Sequence, residues 1–205
     1  EWHALKLTNS AHPGPHERAQ CVDSIALGGA HPQHVAALER AGYRCTGLDS
    51  APRTVEAIRR VAPHLDVVEG DVFDLPFDDD SFVGYWSIGV IEHARDGCDE
   101  YLREACRVVA PGGILCVSVP HFNVLRRSKA RLGAFERRAP DLPFYQYGFS
   151  RRDFARVFAP YDLEPVAFAG YGTARCVGEE MPRFYARIQA TPVLWRLPRL
   201  FDRLD

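Results

Sequence analysis

The chain has 205 residues, of which 46% are hydrophobic and 25% charged, and its formal net charge is −2. This length suits one domain with a substantial core, and the near-neutral charge excludes the strongly basic composition of a nucleic-acid-binding protein. The six cysteines include no Cys-x-x-Cys pair, so we expect neither a metal site nor a disulfide framework. There is neither an apolar run of roughly 18 residues nor a secretory signal, so we expect a cytoplasmic protein without a membrane span.

Short apolar runs alternate with helical segments from residue 21 onward, after an opening stretch, 1–20, whose irregular pattern predicts an N-terminal arm. The elements predicted next are, in chain order, the strand 21–27, the helix 34–41, the strand 43–48, a helix with Val55, Ile58 and Val61 on its apolar face, and the strand 65–68. Gly42 is placed to end the first helix. Asp49, Ser50 and Pro52 offer caps for the second helix.

The same alternation continues through the second half of the chain. The elements predicted there are the strand 81–90, the helix 99–109, the strand 114–119, the helix 151–158 and the strand 163–168. We expect 111–113 (Pro-Gly-Gly) to end the helix before it, and Ser150 to cap the helix after it. The pattern predicts a single α/β domain with a doubly wound, mostly parallel sheet, in which ligands bind beyond the carboxyl ends of the strands.

Asp49 is the first residue that indicates chemistry. It follows the second predicted strand, about 20 residues after the turn at Gly28, and a carboxylate in that place can accept both ribose hydroxyls of a nucleotide-containing cofactor. The position also suits a helix cap. It does not distinguish a dinucleotide from another nucleotide-containing cofactor, so the later segments decide between them.

Four later segments resemble, in order, the signatures of class I S-adenosylmethionine-dependent methyltransferases. They are 70–77 followed by 81–82, 87–93, 107–109, and 110–113 before Ile114. The resemblance covers about 21–119 and, more weakly, 144–150, and it implies a Rossmann-like fold and methyl transfer to an unidentified small-molecule or glycan-type acceptor. It also implies that Asp71 contacts the adenine amino group with Val72 beside the ring. The other cofactor-binding residues that it implies are Gly28, Asp49, Ser50 and Ser87.

The first glycine loop departs from the family pattern of an acidic residue and a G-x-G-x-G turn, in which glycine lets the backbone approach the cofactor. In the register set by the helix at 34–38, only Gly28 is kept. The acidic and remaining glycine positions are filled by Ala26, Ala30 and Pro32. A positive φ is forbidden to proline, whereas a second register makes Asp23 the acidic residue.

Several interpretations of this loop stay open. The site binds S-adenosylmethionine more weakly through its two aspartates, or the fold no longer methylates and acts as a partner subunit or a repurposed enzyme. A NAD-dependent oxidoreductase ranks lower, because G-x-G-x-x-G is absent.

Candidate acceptor-site residues follow the fourth and fifth predicted strands. Methyl transfer depends on positioning, and a general base is needed only when the acceptor carries a proton. His93 and His121 are candidate bases, although a structural or solvated role is the more common one for a histidine in such a place. The other candidates are Glu92, Tyr145, Tyr147 and Arg126. The basic run 126–138 suits an anionic acceptor, peripheral contact with a membrane, or a solvated surface.

The predicted organisation is an arm at 1–20, a methyltransferase-like domain at 21–180 with an acceptor-side insertion at 121–149, and a helical tail at 181–205. The tail is predicted to stop before the final antiparallel hairpin that the family usually has. An unpaired sheet edge favours pairing with a second copy, but the sequence does not fix the oligomeric state.

Overall fold

The computed structural model describes residues 2–7, 20–24, 32–133, 143–170, 178 and 181–190. The strands are β1 (Trp2–Leu7), β2 (Gln20–Ser24), β3 (Arg44–Asp49), β4 (Asp66–Glu69), β5 (Phe82–Ile88), β6 (Val109–Ser118) and β7 (Leu163–Ala169). The helices are α1 (Pro32–Arg40), α2 (Pro52–Val61), α3 (Asp99–Val108), α4 (Val124–Arg131), α5 (Arg151–Phe158) and α6 (Pro182–Gln189). None of these helices has the length and apolar character needed to cross a bilayer.

The strands form one seven-stranded sheet in the order β4-β3-β2-β5-β6-β1-β7. The first five strands in that order are parallel, and β1 runs antiparallel to both β6 and β7. The carboxyl ends of the parallel strands therefore meet at one edge of the sheet. This arrangement confirms the predicted mostly parallel α/β sheet.

The first strand is the main departure from the sequence prediction, because the expectation of an irregular arm is wrong for residues 2–7. These residues form β1, in which Leu5 is buried and pairs with Leu115 and Pro165. Six residues followed by a Pro-rich stretch carry little periodicity of their own, so distant pairing decides their conformation. The antiparallel strand beside β6 therefore comes from before β2.

The core consists of two clusters on opposite faces of the sheet. Tyr85 on β5 belongs to the cluster that contains residues of α3 and α5, whereas its neighbour Trp86 packs against the cluster that contains residues of α1 and α2. Successive side chains of a strand point to opposite faces, so helices cover the sheet on both sides. Val61 does not share the buried face of α2 with Val55 and Ile58, since this last residue of the helix is exposed.

The helix ends match the sequence prediction in part. Gly42 follows α1 with φ +93°, and Ser150 caps α5 in a reciprocal capping box with Asp153. At α2, however, the N-cap is Ala51, which makes no side-chain cap, and Pro52 occupies the first helical position. Neither Asp49 nor Ser50 is the N-cap of that helix.

The Pro-Gly-Gly run forms a bulge instead of ending α3, which stops at Val108. Along β5 and β6 the pairing passes from Phe82 with Val109 directly to Gly84 with Ile114, so the residues between them on β6 are extra residues in the ladder. A Cβ on Gly113 would lie 2.8 Å from the Ala110 carbonyl oxygen and 3.0 Å from that of Val83. The bulge therefore requires glycine at this position.

Candidate functional site

Four loops meet at the carboxyl edge of the sheet, those after β3, β4, β5 and β6. Strand β3 ends at Asp49, and β5 and β6 end side by side, with Ile88 opposite Ser118. The backbone N–H of Gly70 donates to the Asp49 carbonyl oxygen at 3.1 Å, which brings the chain after β4 to the same edge. This is the edge where a parallel α/β sheet binds its ligands.

Asp49 is a buried carboxylate at this edge, with 2% of its surface exposed. Its Oδ1 accepts the backbone N–H of Ala51 at 2.7 Å, so the turn into α2 fixes the direction of the carboxyl group. Ser50, beside it, is exposed. The arrangement fits a nucleoside in the place that the sequence resemblance predicts, since an oriented carboxylate can accept ribose hydroxyls.

Asp71 and Val72 lie on the loop after β4. Asp71 is exposed, and its Oδ1 accepts the backbone N–H of Phe73 at 3.0 Å. Val72 is buried within the larger core cluster. The loop therefore presents Asp71 to solvent and holds its position through the neighbouring apolar side chain of Val72, as an adenine-contacting pair would require.

Arg107 and Glu104 on α3 anchor that loop. Arg107 donates to the carbonyl oxygens of Leu75 at 3.0 Å and Phe77 at 2.7 Å, and Glu104 accepts the Leu75 N–H at 2.8 Å. The two side chains also form a bidentate pair, with both N–O distances 2.7 Å. Hydrogen bonding from Arg107 lowers the pKa of Glu104. Sequence reasoning missed Glu104, although its i, i+3 spacing from Arg107 was a signal.

Ser87 and Glu92 differ from the sequence expectation, because both side chains are buried inside the domain beside Tyr85 and Tyr101. Burial raises the pKa of Glu92 and of Tyr101. The Glu92 Oε2 has no hydrogen-bond partner among the described residues. Glu92 therefore belongs to a buried polar cluster and does not line an open acceptor pocket.

Residues 143–149 form a strap that joins the loops after β5 and β6. Tyr147 donates through its backbone N–H to the Glu92 carbonyl and through its hydroxyl to the Arg95 carbonyl, each at 2.8 Å. Phe149 donates its backbone N–H to the Pro120 carbonyl at 2.9 Å. The strap presents exposed aromatic side chains at this edge, namely Phe144, Tyr145 and Tyr147.

His93 contacts the strap through one ring nitrogen. Its Nδ1 lies 2.8 Å from the Tyr145 carbonyl oxygen, and the two rings meet edge to face with centroids 5.2 Å apart. A carbonyl oxygen only accepts hydrogen bonds, so Nδ1 carries the proton in this contact. In neutral His93 the lone pair is therefore on Nε2.

His121 and Arg126 lie on the neighbouring loop. His121 forms an isolated parallel bridge with Phe149 of the strap, and its carbonyl oxygen accepts from the Arg126 guanidinium at 3.1 Å. The Asn123 side chain caps α4 by accepting the Arg126 N–H. The structure thus places both candidate histidines on loops that the strap connects.

Most of the glycine loop lies outside the described residues, including Gly28, Ala26 and Ala30. Pro32 is described as the first residue of α1, a position that suits its fixed negative φ. Asp23 is the last residue but one of β2, where its backbone pairs with Gly47 and Trp86. The expected conflict between Pro32 and a positive φ therefore does not arise.

Comparison with known proteins agrees with this geometry. A profile of the family described as Methyltransferase domain matches residues 25–117. A protein of Mycolicibacterium smegmatis, named as a probable S-adenosylmethionine-dependent methyltransferase, is 36% identical over 78 residues, which are 38% of this chain and 30% of that protein. Norajmaline N-methyltransferase of Rauvolfia serpentina is 30% identical over 129 residues, which are 59% of this chain and 43% of that enzyme.

A solved structure from Haloferax volcanii shows the same fold. It contains the Trm112 methyltransferase activator and its methyltransferase-like partner, and the match has a TM-score of 0.56 at 25% identity, covering 76% of this chain and 65% of that chain. Over residues 25–117 the chain is therefore similar to the family described as Methyltransferase domain. It spans less than half the length of the two curated relatives.

Proposed function

We propose that this protein transfers a methyl group from S-adenosylmethionine to a small-molecule acceptor. The observation that carries the proposal is the oriented, buried Asp49 at the carboxyl end of β3, beside the loop that presents Asp71. The name of the Rauvolfia relative, Norajmaline N-methyltransferase, supports a small acceptor. A glycan-type acceptor would suit the same open edge, and we place the protein in the cytoplasm.

The cofactor would be held mainly by two carboxylates. Asp49 would accept the ribose hydroxyls, with Ser50 beside it, and Asp71 would accept the adenine amino group. The apolar side chain of Val72 would support the ring, while Gly28 and the backbone near Ser87 would border the methionine portion. When bound, S-adenosylmethionine supplies a methyl group on a positively charged sulfur, and the protein's task is to align the acceptor with it.

The acceptor would lie between the loops that the strap connects. Tyr145 and Tyr147 offer apolar faces with polar tips, and α4 places Arg126 among further basic residues near His121. An anionic group on the acceptor would be attracted to this side. His93 and His121 are the two histidines on the loops that the strap connects, and a neutral imidazole can accept a proton from an acceptor.

Calorimetry tests the cofactor site directly. We expect S-adenosylmethionine and S-adenosylhomocysteine to bind with micromolar affinity, and Asp49→Asn and Asp71→Asn each to weaken binding at least tenfold, because each removes one charge-assisted acceptor. Asp66→Asn is the control, since this exposed aspartate begins β4 and so lies at the opposite, amino edge of the sheet. No binding at millimolar ligand would contradict the proposal and favour a fold that no longer methylates.

A further inference from the structure

We propose that His93 is the general base of this reaction, acting through Nε2, and that the acceptor is an aromatic hydroxyl compound. This inference rests on the proposed function and adds to it the identity of the base, the group that positions it and the class of acceptor. The contact that carries it is the hydrogen bond from His93 Nδ1 to the Tyr145 carbonyl oxygen.

The Tyr145 carbonyl selects one tautomer of neutral His93. Free neutral imidazole favours the proton on Nε2, which would leave this nitrogen without basicity towards a substrate. The carbonyl instead holds the proton on Nδ1, so the lone pair is on Nε2. Among the described residues, none hydrogen bonds to Nε2, and the side chain is only partly buried. A backbone carbonyl thus serves here as the positioning group for a base.

The strap that supplies this carbonyl is itself fixed. Tyr147 donates its hydroxyl to the Arg95 carbonyl and its backbone N–H to the Glu92 carbonyl. The strap is therefore bound to the same loop that carries His93. The base and its positioning group therefore move together. Such a supporting shell keeps a catalytic side chain in a productive orientation.

The class of acceptor follows from the surface beside His93. Tyr145 packs edge to face on the imidazole, and Phe144 packs on Tyr147 with ring centroids 4.7 Å apart. All three strap side chains are exposed, Tyr145 by 73% of its surface. Exposed aromatic rings bind planar aromatic ligands well, because they combine a large apolar area with edge-to-face or offset contacts.

A phenolic acceptor needs a base, since its hydroxyl is mostly protonated at neutral pH, with a pKa of about 10 as in tyrosine. The acceptor oxygen gives its proton to Nε2 and uses an oxygen electron pair for the bond to the methyl carbon. The carbon–sulfur bond breaks with its electron pair on sulfur, and the imidazolium then releases the proton to water. Atoms and charge balance without a further reactant.

The tautomer is measured first, by long-range ¹H–¹⁵N correlation on the labelled protein without ligands, with His93→Gln used to assign the ring. At a pH high enough for the ring to be neutral, we expect the ¹⁵N chemical shift of Nδ1 to be of the protonated, pyrrole type. We expect that of Nε2 to be of the unprotonated, pyridine type. Tyr147→Phe, which removes the bond to the Arg95 carbonyl, should reduce this preference, whereas His64→Gln should leave it unchanged. The opposite tautomer in the wild-type protein would overturn the proposal.

The base is then tested with two probes at pH 8, phenol and 4-nitrophenol, by following release of S-adenosylhomocysteine. Phenol is protonated at this pH and 4-nitrophenol is largely ionised, so only phenol needs the base. His93→Gln should lower the rate with phenol by about 10²–10⁴-fold and the rate with 4-nitrophenol by less than about tenfold. His64→Gln is the control, because His64 is exposed in the turn before β4, and it should change neither the rate with phenol nor the rate with 4-nitrophenol.

The outcomes separate this proposal from the proposed function. If His93→Gln lowered the rates with phenol and with 4-nitrophenol equally, His93 would not act as a base. Turnover of neither phenol by a wild-type protein that binds the cofactor would refute the aromatic hydroxyl acceptor while leaving methyl transfer standing. Failure to bind the cofactor in calorimetry would remove the proposed function itself, and the assignment of the base with it.

Discussion

At the residue scale, Glu92 and Glu104 have opposite environments. Glu92 is buried without a hydrogen-bond partner for its Oε2 among the described residues, and desolvation raises its pKa. Glu104 accepts from Arg107 and from the Leu75 backbone, and these bonds lower its pKa. The neutral form is therefore favoured at one position and the ionised form at the other.

Glu92→Gln should stabilise the protein at neutral pH. Because the folded-state pKa of Glu92 is raised, the native state binds the proton more tightly than the unfolded state, and stability falls as pH rises from the ordinary carboxyl pKa to the raised one. Glutamine removes this dependence. We expect the variant to match the wild type near pH 4 and to exceed it increasingly above that, in urea unfolding followed from pH 4 to 8.

Glu104→Gln is the matched variant with the opposite sign. The pKa of Glu104 is lowered, so its stabilising contribution is present above the unfolded pKa and is lost as pH falls through the folded one. The variant should be less stable than the wild type at pH 7, by about 1–3 kcal/mol, and the difference should shrink on acidification. Parallel pH profiles for the two variants would be inconsistent with both assignments.

At the element scale, loops are held in place by neighbouring elements, and the edge strand β4 is covered by a side chain. The loop after β4 depends on α3 through Arg107, and the strap depends on the loop after β5. On the edge strand β4, the Val67 carbonyl is occupied by two nitrogens of Arg59 at 2.7 and 3.1 Å. Arg59 therefore satisfies a backbone acceptor on an edge strand, where an unpaired acceptor could otherwise pair with another chain.

Arg107→Ala should loosen the loop that presents Asp71. The change leaves the Leu75 and Phe77 carbonyls without their donor and leaves Glu104 without its ion-pair partner, which we expect to cost about 2 kcal/mol. Arg103→Ala is the control, because Arg103 is exposed on the same helix and only 3.9 Å from exposed Glu100, and it should cost less than about 0.5 kcal/mol. Urea midpoints and amide exchange at Leu75 measure the difference.

Gly113→Ala tests the bulge in β6. The added Cβ would lie 2.5 Å from Val109 Cγ1 and within 3.0 Å of two backbone carbonyl oxygens, so the strand must shift. We expect a loss of about 1–3 kcal/mol, the usual range for overpacking a core. Thermal unfolding measures it, and a variant as stable as the wild type would show that the Pro-Gly-Gly run has no close backbone approach.

At the scale of the whole molecule, the sheet is continuous from β4 to β7, and β1 connects the parallel part to the last strand. Leu5 on β1 contributes to the same core cluster as Leu115 on β6 and Phe154 on α5. On β7, Val166 and Phe168 are exposed, so the pairing of this strand with β1 is its main attachment within the described structure. β1 is thus part of the fold and not an appendage.

Leu5→Ala should destabilise the whole domain. Removing a side chain that is 2% exposed costs about 2–5 kcal/mol, because burial is lost and a cavity remains. Val166→Ala on the neighbouring strand is the control, since Val166 is 58% exposed and should change stability by less than about 0.5 kcal/mol. Circular dichroism and tryptophan fluorescence should report a single coincident urea transition for both variants.

The sequence predicts the parallel part of this fold well, because local patterns determine it. The capping box at Ser150 and the end of α1 at Gly42 are short-range signals and are confirmed. Strand β1 and the burial of Glu92 depend on partners far away in the chain, which periodicity does not reveal. The bond from His93 to the Tyr145 carbonyl likewise joins residues 52 positions apart, so the sequence could nominate the histidine but not its tautomer.

The position of β1 also affects how the protein is made. β1 is synthesised before every strand that it pairs with, and its partners, β6 and β7, follow more than 100 residues later. On the ribosome, the parallel strands can assemble while β1 is still unpaired, and the sheet closes only when β7 has emerged. The unpaired β1 should therefore be exposed to chaperones until β6 and β7 emerge, and the slowest steps of biosynthetic folding should follow the emergence of β7.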